Sequence, residues 1–500
     1  MSRYDLLVLG AGATGLAAAR AARKAGPSVA LVDKAEPGGD CTHFGCVPSK
    51  TLLDVAHRVA GAREAQQWGL APVGDVDFAA VMRHVHDVID RISADESPEQ
   101  LRSEGIDLVR GWAQLAGPDA LEVDGQVLRG SRMVLATGAH ASIPPIDGLD
   151  SVPYLDNKTL FDLTEQPEHL LVMGGGAIGV ELAQAFSQLG TRVTLVEAAD
   201  RILTKEEPEA AAVLTTVLER SGVEVRTGAG VERVSSGPTL HLSDGSSVTG
   251  THLLVAVGRK PATSGMDLER VGVELGKQGQ IVTDSYLRTN VEGVFAAGDC
   301  TTPLQFTHVG DEQGRLAAAN AFAHGSVLPG ALGGMSAFDD SVVPWVTFTE
   351  PEVGRVGMTE QQAYDAHGER ARARRRRAAR RDGSHPDLVA HRRLPQAHRW
   401  AASGGAAPAA GPGDWGDGGD AGRRRDRRDG CARHADEHAG RPAGADNGAV
   451  PDVRPRAAVG GGAAVWRVRR RVLAPRPAGE LRAPVQVSLL YFDGCPGSRV

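Results

Sequence analysis

Asp5 to Lys34 reads DLLVLGAGATGLAAARAARKAGPSVALVDK, and His169 to Ala198 reads HLLVMGGGAIGVELAQAFSQLGTRVTLVEA. The two stretches correspond residue for residue without a gap. Each runs apolar strand, Gly-x-Gly-x-x-Gly, amphipathic helix, glycine, second strand, acidic residue. The glycines are Gly10, Gly12 and Gly15 in the first copy and Gly174, Gly176 and Gly179 in the second. In such a unit the first glycine permits a tight strand-to-helix turn, and the second lets a pyrophosphate approach the backbone. The third lets helix and strand pack closely, with the pyrophosphate over the helix N-terminus. Asp33, followed by Lys34, and Glu197 stand at matched positions, placed to accept a hydrogen bond from an adenosine ribose hydroxyl. One such motif is weak evidence. Two complete strand–helix–strand units, each with its own acid, predict two dinucleotide sites rather than two glycine-rich turns of an ordinary α/β sheet.

Between the copies, Gly38 to Lys50 reads GGDCTHFGCVPSK, which separates Cys41 from Cys46 by four residues. A cysteine pair beside a redox cofactor can accept electrons and pass them on by thiol exchange. The attacking sulfur must be a thiolate, which a helix N-terminus or a nearby cation favours. Val47 to Ala60 is predicted to be helical, with both cysteines at or just before its positive end. The alternative is a pair of structural thiols, and the spacing and context disfavour it.

These residues carry a family resemblance. GGDCTHFGCVPSK resembles the redox-disulfide segment of the flavin-dependent pyridine nucleotide-disulfide oxidoreductases, which include mercuric reductase, dihydrolipoamide dehydrogenase and glutathione reductase. Further segments resemble the family's motifs in its own order. Met133–Gly138 (MVLATG) is similar to the strand and turn closing the flavin domain. Ile143–Gly148 (IPPIDG) and Ala256–Pro261 (AVGRKP) are similar to the two crossings between domains. Val294–Asp299 (VFAAGD) is similar to the second flavin motif, and Val342–Gly357 to the opening strands of the interface domain. The wording is nearest to mercuric-reductase-like proteins, while Asp40 and Thr42 depart from the usual dihydrolipoamide dehydrogenase segment.

The resemblance implies an α/β fold with two Rossmann-like dinucleotide-binding domains, FAD in the first and NAD(P)H in the second. The expected boundaries are 1–148 for the FAD domain, 149–262 for the NAD(P) domain, 263–335 for a segment returning to the FAD domain, and 336–369 for the start of an α+β interface domain. Cys46 would be the sulfur beside the flavin and Cys41 the interchange sulfur that meets the acceptor. Lys50, near the flavin, would pair with Glu181 of the second nucleotide helix, and Asp299 would accept from the ribityl hydroxyls. Gly39, Lys50, Thr137, Gly138, Gly258 and Gly298 join the two glycine sets, Asp33, Lys34 and Glu197 as cofactor-binding positions. The implied reaction moves electrons from NAD(P)H through FAD to the Cys41–Cys46 disulfide, then to a thiol/disulfide or metal-ion acceptor. Glu197 favours NADH, because a carboxylate there repels a 2′-phosphate. No resident metal, nucleic acid or membrane partner is expected. The short apolar run at the N-terminus and the few cysteines fit a cytoplasmic protein.

At Arg370 the composition changes. Residues 1–369 carry 28 basic and 49 acidic residues, a net of −21; residues 370–500 carry 27 arginines against 13 acids, a net of +14, with no lysine, threonine, isoleucine or methionine. No hydrophobic period survives. Arginine runs such as Arg374–Arg377 would on their own suggest a nucleic-acid-binding arm. A frameshift in a GC-rich gene explains more. Shifted by one base, codons for His391–Trp400 permit Thr-Gly-Gly-Phe-Leu-Lys-Leu-Ile-Ala, and those for Ala457–Arg467 permit Leu-Gln-Ser-Ala-Ala-Ala-Gln-Gln-Phe-Gly. Residues 370–484 are therefore expected to be an out-of-frame tail that builds no core, and 485–500 (within it VQVSLLYFDGCP) a thioredoxin-like strand remnant. Resequencing around codon 370 tests this, since an uninterrupted frame would remove the argument.

The resemblance gives that break a functional consequence. The family's interface domain makes a homodimer and reaches into the partner's disulfide site. The chain's one His-Pro, His385-Pro386, has Ala390 where a glutamate is expected. Cys431 and Cys495 are not the adjacent terminal pair of mercuric reductase. The homodimer is expected to be impaired. A catalytically dead FAD- and NAD-binding remnant is the alternative reading.

Overall fold

A computed structural model of the chain describes residues 3–72, 74–323 and 334–368. The first glycine-rich copy builds β1 (Arg3–Leu9), α1 (Ala13–Ala25) and β2 (Val29–Asp33), with β1 and β2 parallel and Leu6 opposite Val29. Leu6, Leu7 and Val8 are fully buried on both faces, as a near-continuous apolar run in a parallel strand requires. The turn out of β1 depends on Gly10 at φ +106°, where a Cβ would run into the Ala136 carbonyl. A Cβ at Gly15 would run into the Gly10 carbonyl, so α1 lies on the strand at backbone distance.

Two helices carry the cysteines: α2 (Gly39–His43) and α3 (Cys46–Glu64). Helix α4 (Phe78–Ser93) follows; the Asp77 side chain caps it by accepting from Ala80 N at 2.9 Å, a contribution of about 1 kcal/mol. Its buried stripe is Phe78, Val81, Met82, Val85, Val88 and Ile89. After α5 (Pro98–Ser103) come β3 (Ile106–Arg110), β4 (Ala113–Gly117), β5 (Ala120–Val123) and β6 (Gln126–Leu135). The sheet order is β3-β2-β1-β6-β5-β4.

Strand β7 (Ala139–Ala141) leads out of this sheet. The second copy builds β8 (His169–Met173), α6 (Ala177–Leu189) and β9 (Arg192–Val196), with Leu170 opposite Val193. The turn is repeated in detail: Gly174 sits at φ +112° against the Ala256 carbonyl, and Gly179 against the Gly174 carbonyl. Helix α7 (Pro208–Arg220) precedes β10 (Val223–Arg226), a three-stranded meander of β11 (Val231–Ser235), β12 (Thr239–Leu242) and β13 (Ser247–Thr249), and then β14 (His252–Val255). The second parallel sheet runs β10-β9-β8-β14. Strand β15 (Arg259–Pro261) pairs antiparallel with β7, so the outgoing and returning crossings lie side by side.

The returning chain adds β16 (Val294–Ala296) to the first sheet beside β6, then enters α8 (Thr307–Ala321). Helix α8 packs tightly on α1: Cβ atoms at Gly310 and Gly314 would strike the Thr14 hydroxyl and carbonyl. Strands β17 (Pro344–Thr347) and β18 (Val353–Val356) form an antiparallel pair, followed by α9 (Glu360–His367) behind a Thr359/Gln362 capping box. This last segment docks on the second nucleotide unit. Gln184 exchanges two hydrogen bonds with the Glu350 backbone, and Trp345 Nε1 donates to Glu206 Oε1 at 2.7 Å beneath the buried Arg355 guanidinium.

The fold is α/β, with two nucleotide-binding-type parallel sheets. All described residues belong to one compact unit. Among them no helix is long and apolar enough to cross a membrane, and no group of three or more His, Cys, Asp or Glu could hold a metal ion. The expectations for 370–484 and 485–500, with His385-Pro386, Cys431 and Cys495, lie outside the described residues, as does 324–333 of the 263–335 segment.

Candidate active site

Helix α3 begins at Cys46 itself, capped by Gly45, and Cys41 lies in the separate helix α2 rather than at the foot of α3. Both thiols meet one hydroxyl: Thr307 Oγ1, on the first residue of α8, is 3.1 Å from Cys41 Sγ and 3.1 Å from Cys46 Sγ. Cys46 is held well below the ordinary thiol range, to about 6. The Cys41 thiol donating to it is the largest cause, helped by the Thr307 hydroxyl and the Lys50 charge, against burial and Glu181. Cys41 is pushed up for the reciprocal reason: it gives its proton to the bond, and burial adds to the effect. The pair is therefore asymmetric: ionisation is favoured at Cys46 and opposed at Cys41.

Lys50, one turn beyond Cys46 on α3, donates to Glu181 Oε2 at 2.7 Å. Lys50 is 36% exposed and Glu181 6% exposed, so the pair is anchored on a buried carboxylate of the second unit. Glu181 Oε1 accepts from Phe348 N at 2.7 Å, and the Lys50 ammonium lies 4.6 Å from the Phe348 ring. Leu52, Leu53 and Ala56 of α3 share a core with Val180, Ala183 and Phe186 of α6, which fixes the two helices and the ion pair between them.

The nucleotide residues fall into two equivalent cradles. Asp33 Oδ2 accepts from Ala11 N at 2.6 Å, and Glu197 Oε2 from Gly175 N at 2.7 Å. Gly12 and Gly176 cap α1 and α6, and neither helix has a side-chain cap hydrogen bond. A Cβ at Gly176 would meet nothing within 4 Å. Gly39 opens α2 facing Gly12, and Lys34 lies 4.6 Å over the Trp112 ring. Thr137 and Gly138 follow β6, Gly258 precedes β15, and Gly298 and Asp299 follow β16. Burial pushes the Asp299 carboxyl up, against the nearby Arg259 charge. Uncapped helix N-termini and a buried acid fit two dinucleotides, one of them flavin-bearing.

Arg259 is a site residue that the sequence reading quoted within a motif but did not single out. It donates to Asp40 Oδ2 at 2.6 Å and to the Ala139 carbonyl, with Nε 3.8 Å from Asp299. Thr42 donates to the half-buried Glu96 at 2.8 Å. Thr307 was also missed. Its signal is purely spatial, since it stands more than 260 positions from either cysteine. Cys300 is fully buried, with Sγ 3.2 Å from the Ala297 carbonyl.

Two nucleotide-binding-type sheets, with a cysteine pair beside the helix α3 that packs on the second unit, are the pattern of an oxidoreductase. The chain belongs to the pyridine nucleotide-disulphide oxidoreductase family, whose model matches residues 4–325. Members are FAD-dependent, take NAD(P)H as electron donor, and are typically homodimers. The mercuric reductase of Streptomyces lividans is 38% identical over 381 residues, covering 73% of this chain and 77% of that protein. A dihydrolipoyl dehydrogenase from Thermus scotoductus is 34% identical over 376 residues, covering 73% and 78%. The mercuric reductase of Bacillus cereus is 34% identical, and 57% of its length is spanned. Among solved structures, a Cu(II) complex of the HOCl-induced flavoprotein disulfide reductase RclA from Escherichia coli superposes with a TM-score of 0.65 at 31% identity, covering 73% of this chain and 80% of that one.

Proposed function

We propose that the protein takes electrons from NADH, held on β8–α6–β9, and delivers them to the Cys41–Cys46 pair beside FAD held on β1–α1–β2. From there they pass to a metal-ion acceptor in the manner of mercuric reductase. FAD, when bound, converts hydride chemistry into thiol–disulfide chemistry. The chain's own residues do the rest. Gly12 and Gly176 leave helix amides open to pyrophosphates, while Asp33 and Glu197 face the riboses. Lys50 is held by Glu181 at the junction of the units, Cys46 keeps negative charge, and Cys41 keeps a proton.

The observation that carries this reading is the continuity of α3. One rigid helix bears the Cys46 sulfur at its first residue and, a turn later, the ammonium that meets Glu181 of the second unit. The acceptor is argued from the relatives: several are mercuric reductases, and RclA has been solved with Cu(II). Anaerobic NADH oxidation with mercuric ion, cupric ion, lipoamide and glutathione disulfide tests it. Faster turnover with mercuric ion supports the proposal. Faster turnover with lipoamide would assign the chain to the dihydrolipoamide dehydrogenase branch, and no turnover with any acceptor would support the inactive remnant.

NADH is expected to exceed NADPH in kcat/KM by about tenfold or more. The Glu197 carboxylate already accepts from Gly175 N and Ala199 N, fixing it where a 2′-phosphate would have to sit. Arg201, the nearby cation that could offset this, donates to the Leu203 and Thr204 carbonyls instead. A higher kcat/KM with NADPH would refute the assignment.

A further inference from the structure

We propose that Thr307 is a third catalytic residue of the dithiol centre, its hydroxyl a hydrogen-bond donor shared by the two sulfurs that follows the negative charge between them. This rests on reading Cys41–Cys46 as the redox pair, and adds to it a group from a distant helix.

The hydroxyl lies 3.1 Å from each sulfur. It carries one proton and can donate to only one sulfur at a time, so two equal distances let it serve either. The hydroxyl is not used in capping: Phe306 is the N-cap of α8, Thr307 is its first helical residue, and the helix has no side-chain cap. The position is rigid, because Gly310 and Gly314 seat α8 against Thr14 of α1 at backbone distance. The sulfurs share no other hydrogen-bonding side chain among the described residues.

The surrounding charges are arranged unequally. Cys46 feels the Lys50 ammonium on its own helix, which favours its ionisation, and Glu181 of α6, which opposes it. Cys41, on α2, feels the Glu96 carboxylate beyond Thr42, which opposes its ionisation. At rest the charge sits on Cys46; the Thr307 hydroxyl, which donates to Cys41 in the structure, stands equally near Cys46, where either atom can donate, so it can turn to that sulfur while the charge is there. For Cys41 to attack an acceptor, its proton moves to Cys46: Cys41–SH and Cys46–S⁻ become Cys41–S⁻ and Cys46–SH. No electron moves in this step and no outside base is needed. The Thr307 hydroxyl turns from Cys46 to Cys41, so the new thiolate does not form without a donor.

The test compares Thr307→Val, Thr307→Ala and Thr307→Ser in the full-length, flavin-loaded protein reduced with one equivalent of NADH. Two signals are followed against pH: the long-wavelength absorption of the Cys46 thiolate against flavin, and Cys41 alkylation by iodoacetamide. Loss of a charge-assisted hydrogen bond is expected to move the thiolate midpoint up by about one to two pH units in the valine and alanine variants, and to slow Cys41 alkylation about tenfold. Serine should behave as wild type. Alanine removes the hydroxyl without the packing demand of valine, so the result can be read if one of them misfolds. Unshifted valine and alanine profiles, or an equal shift in serine, overturn the role of the hydroxyl. A wild type in which NADH liberates no thiols overturns instead the redox reading beneath it.

Discussion

Cys46→Ser is expected to abolish the long-wavelength absorption of the NADH-reduced protein, whereas Cys41→Ser keeps that absorption. Both lose acceptor turnover by about a thousandfold or more. The asymmetry comes from the protonation states. Cys46 is the sulfur pulled down to about 6, so its thiolate predominates above that pH and is lost as pH falls through it. In the wild type the absorption should therefore fade with a midpoint near pH 6. Cys41→Ser retains a hydroxyl donor to Cys46 beside Thr307 and Lys50, so the thiolate survives, but no second sulfur remains to hand electrons on. Cys46→Ser leaves only Cys41, which is held protonated by burial and the Glu96 charge. Absorption retained in Cys46→Ser and lost in Cys41→Ser would reverse the two roles.

The second large effect separates the nucleotide units. Gly179→Ala should lower kcat/KM for NADH by about a hundredfold or more, equivalent to roughly 2.7 kcal/mol, while flavin loading is retained. A Cβ at Gly179 has only the Gly174 carbonyl to push against, and that is fixed backbone at the turn where α6 leaves β8. The helix N-terminus must move away from the position that receives the pyrophosphate. Gly15→Ala meets the matching Gly10 carbonyl and should instead give protein that does not hold flavin. Loss of flavin from Gly179→Ala, with NADH binding intact, would exchange the two assignments.

The repeated glycine-rich unit was legible because its constraints are local. A strand end, a positive-φ glycine, a helix that must touch its strand and an acid 23 residues after the first glycine all lie within thirty residues, and both copies obey them. Asp33 and Glu197 accept from equivalent backbone amides of their turns, Ala11 N and Gly175 N, contacts that the expected ribose hydrogen bond did not include. Helix α3 was read one residue late at its start and four short at its end, because Gly45 rather than Cys46 breaks the backbone. The hairpin of β5 and β6 was readable from Asp124-Gly125, both at positive φ, but was overlooked.

Contacts set by distant packing were not legible. Nothing near GGDCTHFGCVPSK announces Thr307, which the seating of α8 on α1 brings to the sulfurs. Nor does it announce Arg259, which the pairing of β7 with β15 brings to Asp40. Asp40 itself was noticed only as a departure from the usual wording, and its partner gives a reason: a carboxylate there meets a guanidinium that is 17% exposed.

The central claim is that NADH electrons come to rest on Cys41 and Cys46. Anaerobic addition of one equivalent of NADH to the flavin-loaded oxidised protein, followed by thiol counting and peptide mapping, tests it most directly. The account predicts two new thiols per flavin, at Cys41 and Cys46, with the flavin spectrum returned to its oxidised form. Flavin that stays bleached with no thiols liberated would contradict it.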